Sequence, residues 1–152
     1  MAIEKREAFV KQVAIYLGDG HYENAYALAR DFAAKFPAEM VSHYLLARAA
    51  FWTGRFGETV DEGRKAFNLA KRADLGACAA ITASGLYSLG RYKEGFELLS
   101  RVRARGDEDL EKLRFTFAMV MGRRKEAIEC IDDLFRINRK EAERLLEKAL
   151  AG

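Results

Sequence analysis

One short pattern recurs four times along the 152-residue chain. A glycine is followed two residues later by Tyr, Phe, Tyr or Arg, and five residues later by a small residue or a threonine. The four glycines are Gly20, Gly54, Gly90 and Gly122, and they are separated by 34, 36 and 32 residues. A period of about 34 residues is typical of chains built from stacked two-helix repeats, and it constrains the fold more than any other feature.

The residues after each glycine predict an amphipathic helix. Positions two, five, six, nine and twelve after the glycine fall on one stripe of an α-helix. The small residue at position five lets a neighbouring helix approach closely, and the larger residues on the stripe fill the space around it. Position six holds Tyr26, Val60, Phe96 and Ile128. We expect all four of these side chains to pack against a neighbouring helix.

A second helix precedes each glycine. These upstream segments are rich in apolar residues, contain no proline and stop at or just before the glycine. Glycine takes the left-handed conformation that ends a helix and lets the chain reverse. Pro37 separates the second helix from the third, and Asn138 with Glu141 has the spacing of a capping box for a last helix that ends near Leu150.

Another helix boundary is predicted between the third and fourth repeats. Cations precede a glycine there and anions follow it, as the charges at the two ends of a helix favour. The cations are Arg101, Arg103 and Arg105, the glycine is Gly106, and the anions begin at Asp107.

With these features the chain resembles the tetratricopeptide repeat (TPR) family. The resemblance rests on the period, on the glycine-x-aromatic step at Gly20, Gly54 and Gly90, on the small residue that follows, and on Pro37. It implies an all-α fold, a right-handed superhelical solenoid of antiparallel helix pairs with about nine helices. We expect one domain over residues 1–152, with repeats at about 6–39, 40–75, 76–107 and 108–137 and a capping helix at 138–151.

Composition narrows the class of protein. The net charge is only +3, from 26 basic and 23 acidic residues, so no strongly basic or acidic arm is present. The two cysteines, Cys78 and Cys130, have apolar neighbours and favour buried, reduced thiols over a disulfide. No segment has the length and apolarity of a membrane span or the form of a signal peptide. We therefore expect a cytoplasmic protein that does not enter a membrane.

No catalytic constellation is found in the sequence. The two histidines, His21 and His43, lack Cys, His or carboxylate neighbours at the spacing of a metal site. Neither a phosphate loop nor a dinucleotide fingerprint is present, because the glycines end helices and do not follow strands. We expect a protein that is not an enzyme and has no cofactor or metal.

The first helices of the repeats are predicted to line a concave groove. In solenoids of this type that face contacts partners. With the register set by the glycines, the candidate groove residues are Val10, Leu17, Tyr44, Arg48, Phe51, Trp52, Ser84, Tyr87, Lys112, Thr116 and Met119. Aromatic and Arg side chains are strong anchors in interfaces. The alternative for each aromatic is a place in the core between repeats.

These residues predict a protein-binding module of an adaptor or co-chaperone kind. A peptide or helix of a partner would lie in the groove, and Arg48 and Lys112 favour an acidic partner. The alternative is a self-associating scaffold, a homo-oligomer assembled through the open ends of the array. A nucleic-acid interface is disfavoured, because the arginines between Arg101 and Arg124 alternate with acidic residues.

Overall fold

The computed structural model describes the backbone of residues 2–102 and 107–151 and the side chains of residues 6–102 and 107–151. Within these ranges the chain forms nine α-helices and one short 3-10 helix, and it contains no strand. The α-helices are α1 (Ala2–Gly18), α2 (Tyr22–Lys35), α3 (Met40–Trp52), α4 (Phe56–Leu69), α5 (Leu75–Ser88), α6 (Tyr92–Arg101), α7 (Glu108–Val120), α8 (Arg124–Ile137) and α9 (Arg139–Ala151). The 3-10 helix (Arg72–Asp74) lies between α4 and α5.

The recurring glycines are the turns between paired helices, as predicted. Gly20, Gly54, Gly90 and Gly122 all have positive φ, between 71° and 79°. At the first turn the His21 N–H donates to the Tyr16 carbonyl at 2.8 Å, and the Gly20 N–H donates to the Leu17 carbonyl at 3.3 Å. The same pair of bonds forms at Gly54 and at Gly122. This is the Schellman arrangement, which satisfies the last carbonyls of the helix and reverses the chain.

The chain divides into two compact units, the N-terminal unit (Met1–Leu89) and the C-terminal unit (Gly90–Gly152). The boundary falls inside the third predicted repeat, between α5 and α6. The single domain over 1–152 stays a prediction.

In the N-terminal unit, α3 is the central helix and packs on α1, α2, α4 and α5. Its sequence is apolar almost all round, which suits a helix covered on several sides. The ring of Phe9 on α1 stacks on Phe32 of α2 with centroids 5.1 Å apart, and Phe36 meets both rings edge-on. These contacts join α1 and α2. Ala25 and Phe32 of α2 belong to the same buried core as the apolar residues of α3.

The close contact between α4 and α5 depends on small residues. A β-carbon at Gly63 would overlap the hydroxyl of Thr82, and one at Gly85 would press on Thr59 at about 3.0 Å. Both threonine hydroxyls are satisfied within their own helices, Thr82 by the Cys78 carbonyl at 2.7 Å and Thr59 by a carbonyl one turn back. The small residues of α5 therefore serve helix packing.

The C-terminal unit is formed by α6, α7, α8 and α9, with each helix packed on the next. Phe117 of α7 lies so close to Gly95 of α6 that a β-carbon there would overlap its ring. This confirms the role of the small residue five positions after the glycine. The predicted anions cap α7, since the Leu110 N–H donates to the Asp107 carboxylate at 3.1 Å.

Two expectations need correction. Ile128 is not buried on the stripe; its side chain is 44% exposed, because α7 and α9, the helices packed on α8, leave that position open to solvent. The capping box forms only on the Asn138 side, where the Glu141 N–H donates to the Asn138 side chain at 3.2 Å. The Glu141 carboxylate pairs with Arg144 and Lys112, the stronger attraction for its charge. The predicted Arg103, Arg105 and Gly106 boundary lies outside the described residues.

Candidate functional site

The first helices of the N-terminal unit share one partly open face. Because α3 packs on both α1 and α5, the register of the glycines predicts that residues at equivalent positions of these three helices form a strip across the unit. We call this strip the inner face. It contains Val10, Leu17, Tyr44, Arg48, Phe51, Trp52, Ser84 and Tyr87, all predicted from the sequence. Every one of these side chains is partly accessible, and none is fully buried.

A cation lies at the middle of the inner face. The Arg48 guanidinium is 5.9 Å from the centroid of the Tyr44 ring, one turn earlier on α3. Arg48 is half-buried and forms no ion pair with any carboxylate in the part of the chain that the structure describes. The aromatic ring orients the guanidinium, and the donors of Arg48 remain available for a carboxylate from outside.

An aromatic group borders the inner face where α3 ends. Trp52 is 52% exposed, and its ring stacks on Tyr22 with centroids 5.3 Å apart and planes at 14°. Phe51 meets Trp52 edge-on at 5.7 Å and Phe56 at 5.6 Å. These contacts hold Trp52 in one orientation while half of its surface faces solvent. Trp52 is thus a surface residue and Phe51 lies between surface and core.

The inner face deepens into a cleft between α1 and α3. The cleft has a volume of about 790 Å³ and is lined by Arg6, Glu7, Ala8, Val10, Lys11 and Val41. Arg6 is engaged by Glu39 at 3.3 Å, whereas Lys11 is exposed and has no ion-pair partner within the described side chains. Lys11 and Val41 were not among the predicted groove residues. Both residues lie two helical turns or more before their glycine. Extending the register of the glycines that far along α1 and α3 would have predicted them.

The candidate residues of the C-terminal unit are less available to a ligand. Lys112 is 3.4 Å from the Glu141 carboxylate of α9, so its charge is already offset. The Thr116 hydroxyl donates to the Lys112 carbonyl at 3.0 Å. Met119 is half-buried. Lys112 is therefore less available than Arg48 to a group from outside the chain.

Solved structures with a similar fold were found. The thermophilic TPR protein TTC0263 of Thermus thermophilus is 16% identical, with a TM-score of 0.76 over 95% of this chain and 80% of that chain. PilF of Pseudomonas aeruginosa is 21% identical, with a TM-score of 0.80 over 95% of this chain and 69% of that one. MamA of Desulfovibrio magneticus RS-1 is 15% identical, with a TM-score of 0.75 over 97% and 94%.

The chain has the tetratricopeptide-repeat fold. No family model and no curated relative matches its sequence. At this level of identity, the likeness to these structures shows the fold alone.

Most of the described arginines that could have formed a basic surface contact other groups of the same chain. Arg114 pairs with the buried Glu111 at 3.2 Å, Arg91 pairs with Glu94 at 2.7 Å, and Arg124 donates to the Ala149 carbonyl at 3.3 Å. Arg123 lies over the Phe96 ring at 5.2 Å. A phosphate backbone needs cations that point into solvent together, and this arrangement disperses them.

The buried polar side chains contact other groups of the same chain. His43 is buried, and its Nδ1 lies 2.5 Å from the Glu62 carboxylate while its Nε2 lies 2.7 Å from the Pro37 carbonyl. Burial raises the pKa of the Cys78 thiol to about 11 and that of Cys130 to about 12, so neither is a ready nucleophile.

Among residues 6–102 and 107–151, no three metal-ligating side chains come together. No described helix is long and apolar enough to cross a bilayer.

Proposed function

We propose that the inner face of the N-terminal unit binds a segment of a partner protein, with Arg48 holding an acidic residue of that segment. The observation that carries the proposal is the state of Arg48: half-buried on Tyr44, and without a carboxylate partner among the described residues. A partly desolvated guanidinium gains more from a carboxylate than a fully hydrated one does. The chain would act as a non-enzymatic adaptor.

Apolar anchors on both sides of Arg48 support the same proposal. Tyr44 and Trp52 offer large rigid surfaces, and Val10 and Leu17 extend the apolar strip along α1. Such side chains bury much area with little loss of conformational entropy, which is why they dominate interface energies. An acidic residue flanked by apolar or aromatic ones is the partner chemistry that this strip fits.

The compartment of the adaptor follows from its thiols. Cys78 and Cys130 are both free and buried. Free thiols are most common where the surroundings are reducing, so we propose the cytoplasm as the site of action.

Peptide selection tests the proposed binding. A random peptide library displayed on phage is sorted against the immobilised full chain, and the enriched peptides are synthesised. We expect enrichment of Asp or Glu next to aromatic or aliphatic residues. Arg48→Ala should weaken binding of these peptides about tenfold, a loss of about 1.4 kcal/mol, because the carboxylate loses its guanidinium. Trp52→Ala should also weaken it while leaving the circular dichroism spectrum unchanged.

The control is Lys125→Ala, which removes an exposed cation of the other compact unit. It should leave peptide affinity unchanged. Enriched peptides without acidic residues, or peptides that bind Arg48→Ala as tightly as the original chain, would contradict the role given to Arg48.

A further inference from the structure

The buried ring of His43 has a hydrogen-bond acceptor beside each of its nitrogens. Its Nδ1 lies 2.5 Å from the Glu62 carboxylate of α4, and its Nε2 lies 2.7 Å from the Pro37 carbonyl. The side chain of His43 is 9% exposed and that of Glu62 is 12% exposed, so bulk water does not replace either partner. One ring therefore joins α3 both to α4 and to the turn that precedes α3.

The number of protons at this place follows from the chemistry of the ring. A carbonyl oxygen accepts hydrogen bonds and cannot donate them, so the bond to Pro37 requires a hydrogen on Nε2 of His43. A neutral imidazole has only one hydrogen, and its Nδ1 would then face the Glu62 carboxylate with a lone pair. An imidazolium donates from both nitrogens, and its bond to an ionised carboxylate is charge-assisted. The geometry therefore fits a doubly protonated ring beside an ionised Glu62.

The other charged groups at this end of α3 come from α4 and α1. The Lys65 ammonium of α4 lies 3.1 Å from the second Glu62 oxygen. Arg6 of α1 pairs with Glu39, just before α3, at 3.3 Å. Within the side chains that the structure describes, neither α2 nor α5 supplies an ion-pair partner for His43 or Glu62. Glu62 is thus the charge that the ring meets directly.

A ring that has given up its second proton can keep only one of the two bonds. The Glu62 carboxylate is the stronger acceptor because it carries a full charge. The remaining hydrogen therefore stays on Nδ1, and the Nε2 lone pair then faces the Pro37 carbonyl oxygen and repels it. Ser42 limits the change, since its hydroxyl lies 2.8 Å from the Phe36 carbonyl and 2.9 Å from the Glu39 carbonyl. The group released is the Pro37 carbonyl between them.

We propose that the pair His43 and Glu62 is a pH-sensitive latch on the turn between α2 and α3. While the ring has both protons, the latch is closed and the Pro37 carbonyl is held against α3. When the ring releases one proton to water, the latch opens at Pro37 while the contact between α3 and α4 persists. This latch belongs to the N-terminal unit and does not depend on the function proposed for the inner face.

NMR spectroscopy of the full chain, labelled with ¹⁵N and ¹³C, tests the latch. Long-range ¹H–¹⁵N correlation identifies which ring nitrogens have a hydrogen, and carbon detection follows the Pro37 carbonyl without interference from amide exchange. The titration runs from about pH 5 to about pH 10, on both sides of the range in which free imidazole changes charge. We expect hydrogens on both nitrogens of His43 at the acidic end and on Nδ1 alone at the alkaline end. The Pro37 carbonyl signal should shift over the same pH interval as the ring.

Glu62→Gln distinguishes a latch from a contact that is only structural. The new amide can donate to Nδ1 while Nε2 donates to the Pro37 carbonyl, so a neutral ring makes both bonds in this variant. The Pro37 signal should therefore lose its pH-dependent shift, and the neutral ring should have its hydrogen on Nε2. The control is His21→Gln, which removes the exposed histidine of the first glycine turn and should leave the shift of Pro37 unchanged.

The titration of the original chain is enough to overturn the proposal, whether or not the variant folds. A ring without a hydrogen on Nδ1 at the acidic end would contradict the closed state. A Pro37 signal that stays constant while the ring loses its proton, or a ring that keeps both protons to about pH 10, would show that no latch opens. A folded Glu62→Gln variant that retains the shift of Pro37 would assign the transition to another group.

Discussion

The four turn glycines have the same conformation and the same surroundings. Their φ values lie within 71° to 79°, and a β-carbon added at Gly20, Gly54, Gly90 or Gly122 would meet nothing within 4 Å. The need for glycine is therefore conformational and not one of space, because residues with a β-carbon rarely adopt this region. The recurring sequence pattern is therefore the turn of each repeat.

Two alanine substitutions three residues apart should have opposite effects. Gly54→Ala forces a β-carbon into the left-handed region and should lower the free energy of unfolding by about 1 to 2 kcal/mol. Gly57 lies inside α4 with open space around it. Gly57→Ala should therefore raise the free energy of unfolding by about 0.5 kcal/mol, because alanine loses less backbone entropy than glycine when a helix forms. Urea denaturation followed by circular dichroism measures both changes. A Gly54→Ala variant as stable as the original chain would mean that this turn tolerates another conformation.

The sequence predicted the turns and the register of the first helices because both depend on local rules. A glycine at a fixed interval determines where α3 ends and which side Arg48 and Trp52 share. The side chains His43 and Glu111 could not be predicted in the same way. Each is buried through contacts with another helix, and a lone polar residue in an apolar segment gives no signal of the partner that satisfies it.

At the scale of helices, the contact between α7 and α8 contains a buried charge. Glu111 of α7 pairs with Arg114 at 3.2 Å, and the buried Cys130 of α8 lies near the same carboxyl group. Burial raises the pKa of Glu111, with Arg114 acting in the opposite direction. The folded chain thus holds that proton more tightly than the unfolded chain does. The contribution of Glu111 to stability is full at low pH and is lost as the pH rises through its raised pKa.

Glu111→Gln should remove this pH dependence. The amide oxygen can still accept a hydrogen bond from Arg114, whose side chain is 24% exposed. From about pH 4 to about pH 8 we expect the stability of the variant to improve relative to the original chain, because the variant has no carboxyl group to ionise there. Urea titrations at the two pH values measure the difference, with Glu129→Gln on the exposed side of α8 as the control. A variant that loses stability relative to the original chain as pH rises would show that the folded state favours the carboxylate.

The prediction that Ile128 packs against a neighbouring helix was wrong, and the reason lies in how whole helices pack. Its position on the helical stripe was right, but burial depends on how α7 and α9 pack against α8, and position six carries no information about that packing. The same limit applies to Lys112. Its place on α7 follows from the register, whereas its pairing with Glu141 depends on how α9 packs on the helix pair before it.

For the whole molecule, the two compact units each contain one buried thiol that can report on its opening. Cys78 lies in the N-terminal unit and Cys130 in the C-terminal unit, and burial raises the pKa of their thiols to about 11 and about 12. Alkylation requires a solvent-exposed thiolate, so labelling should follow unfolding of the surrounding unit. The single-cysteine variants Cys78→Ala and Cys130→Ala separate the two signals.

We expect Cys130 to be labelled by iodoacetamide at a lower urea concentration than Cys78. The C-terminal unit buries the carboxyl group of Glu111, which reduces its net stability. The N-terminal unit instead joins its helices through stacked aromatic rings. Mass spectrometry after brief alkylation across a urea series gives a midpoint for each thiol. Labelling of both thiols over one urea range, or of Cys78 first, would contradict this order and show that stability is distributed along the repeats in another way.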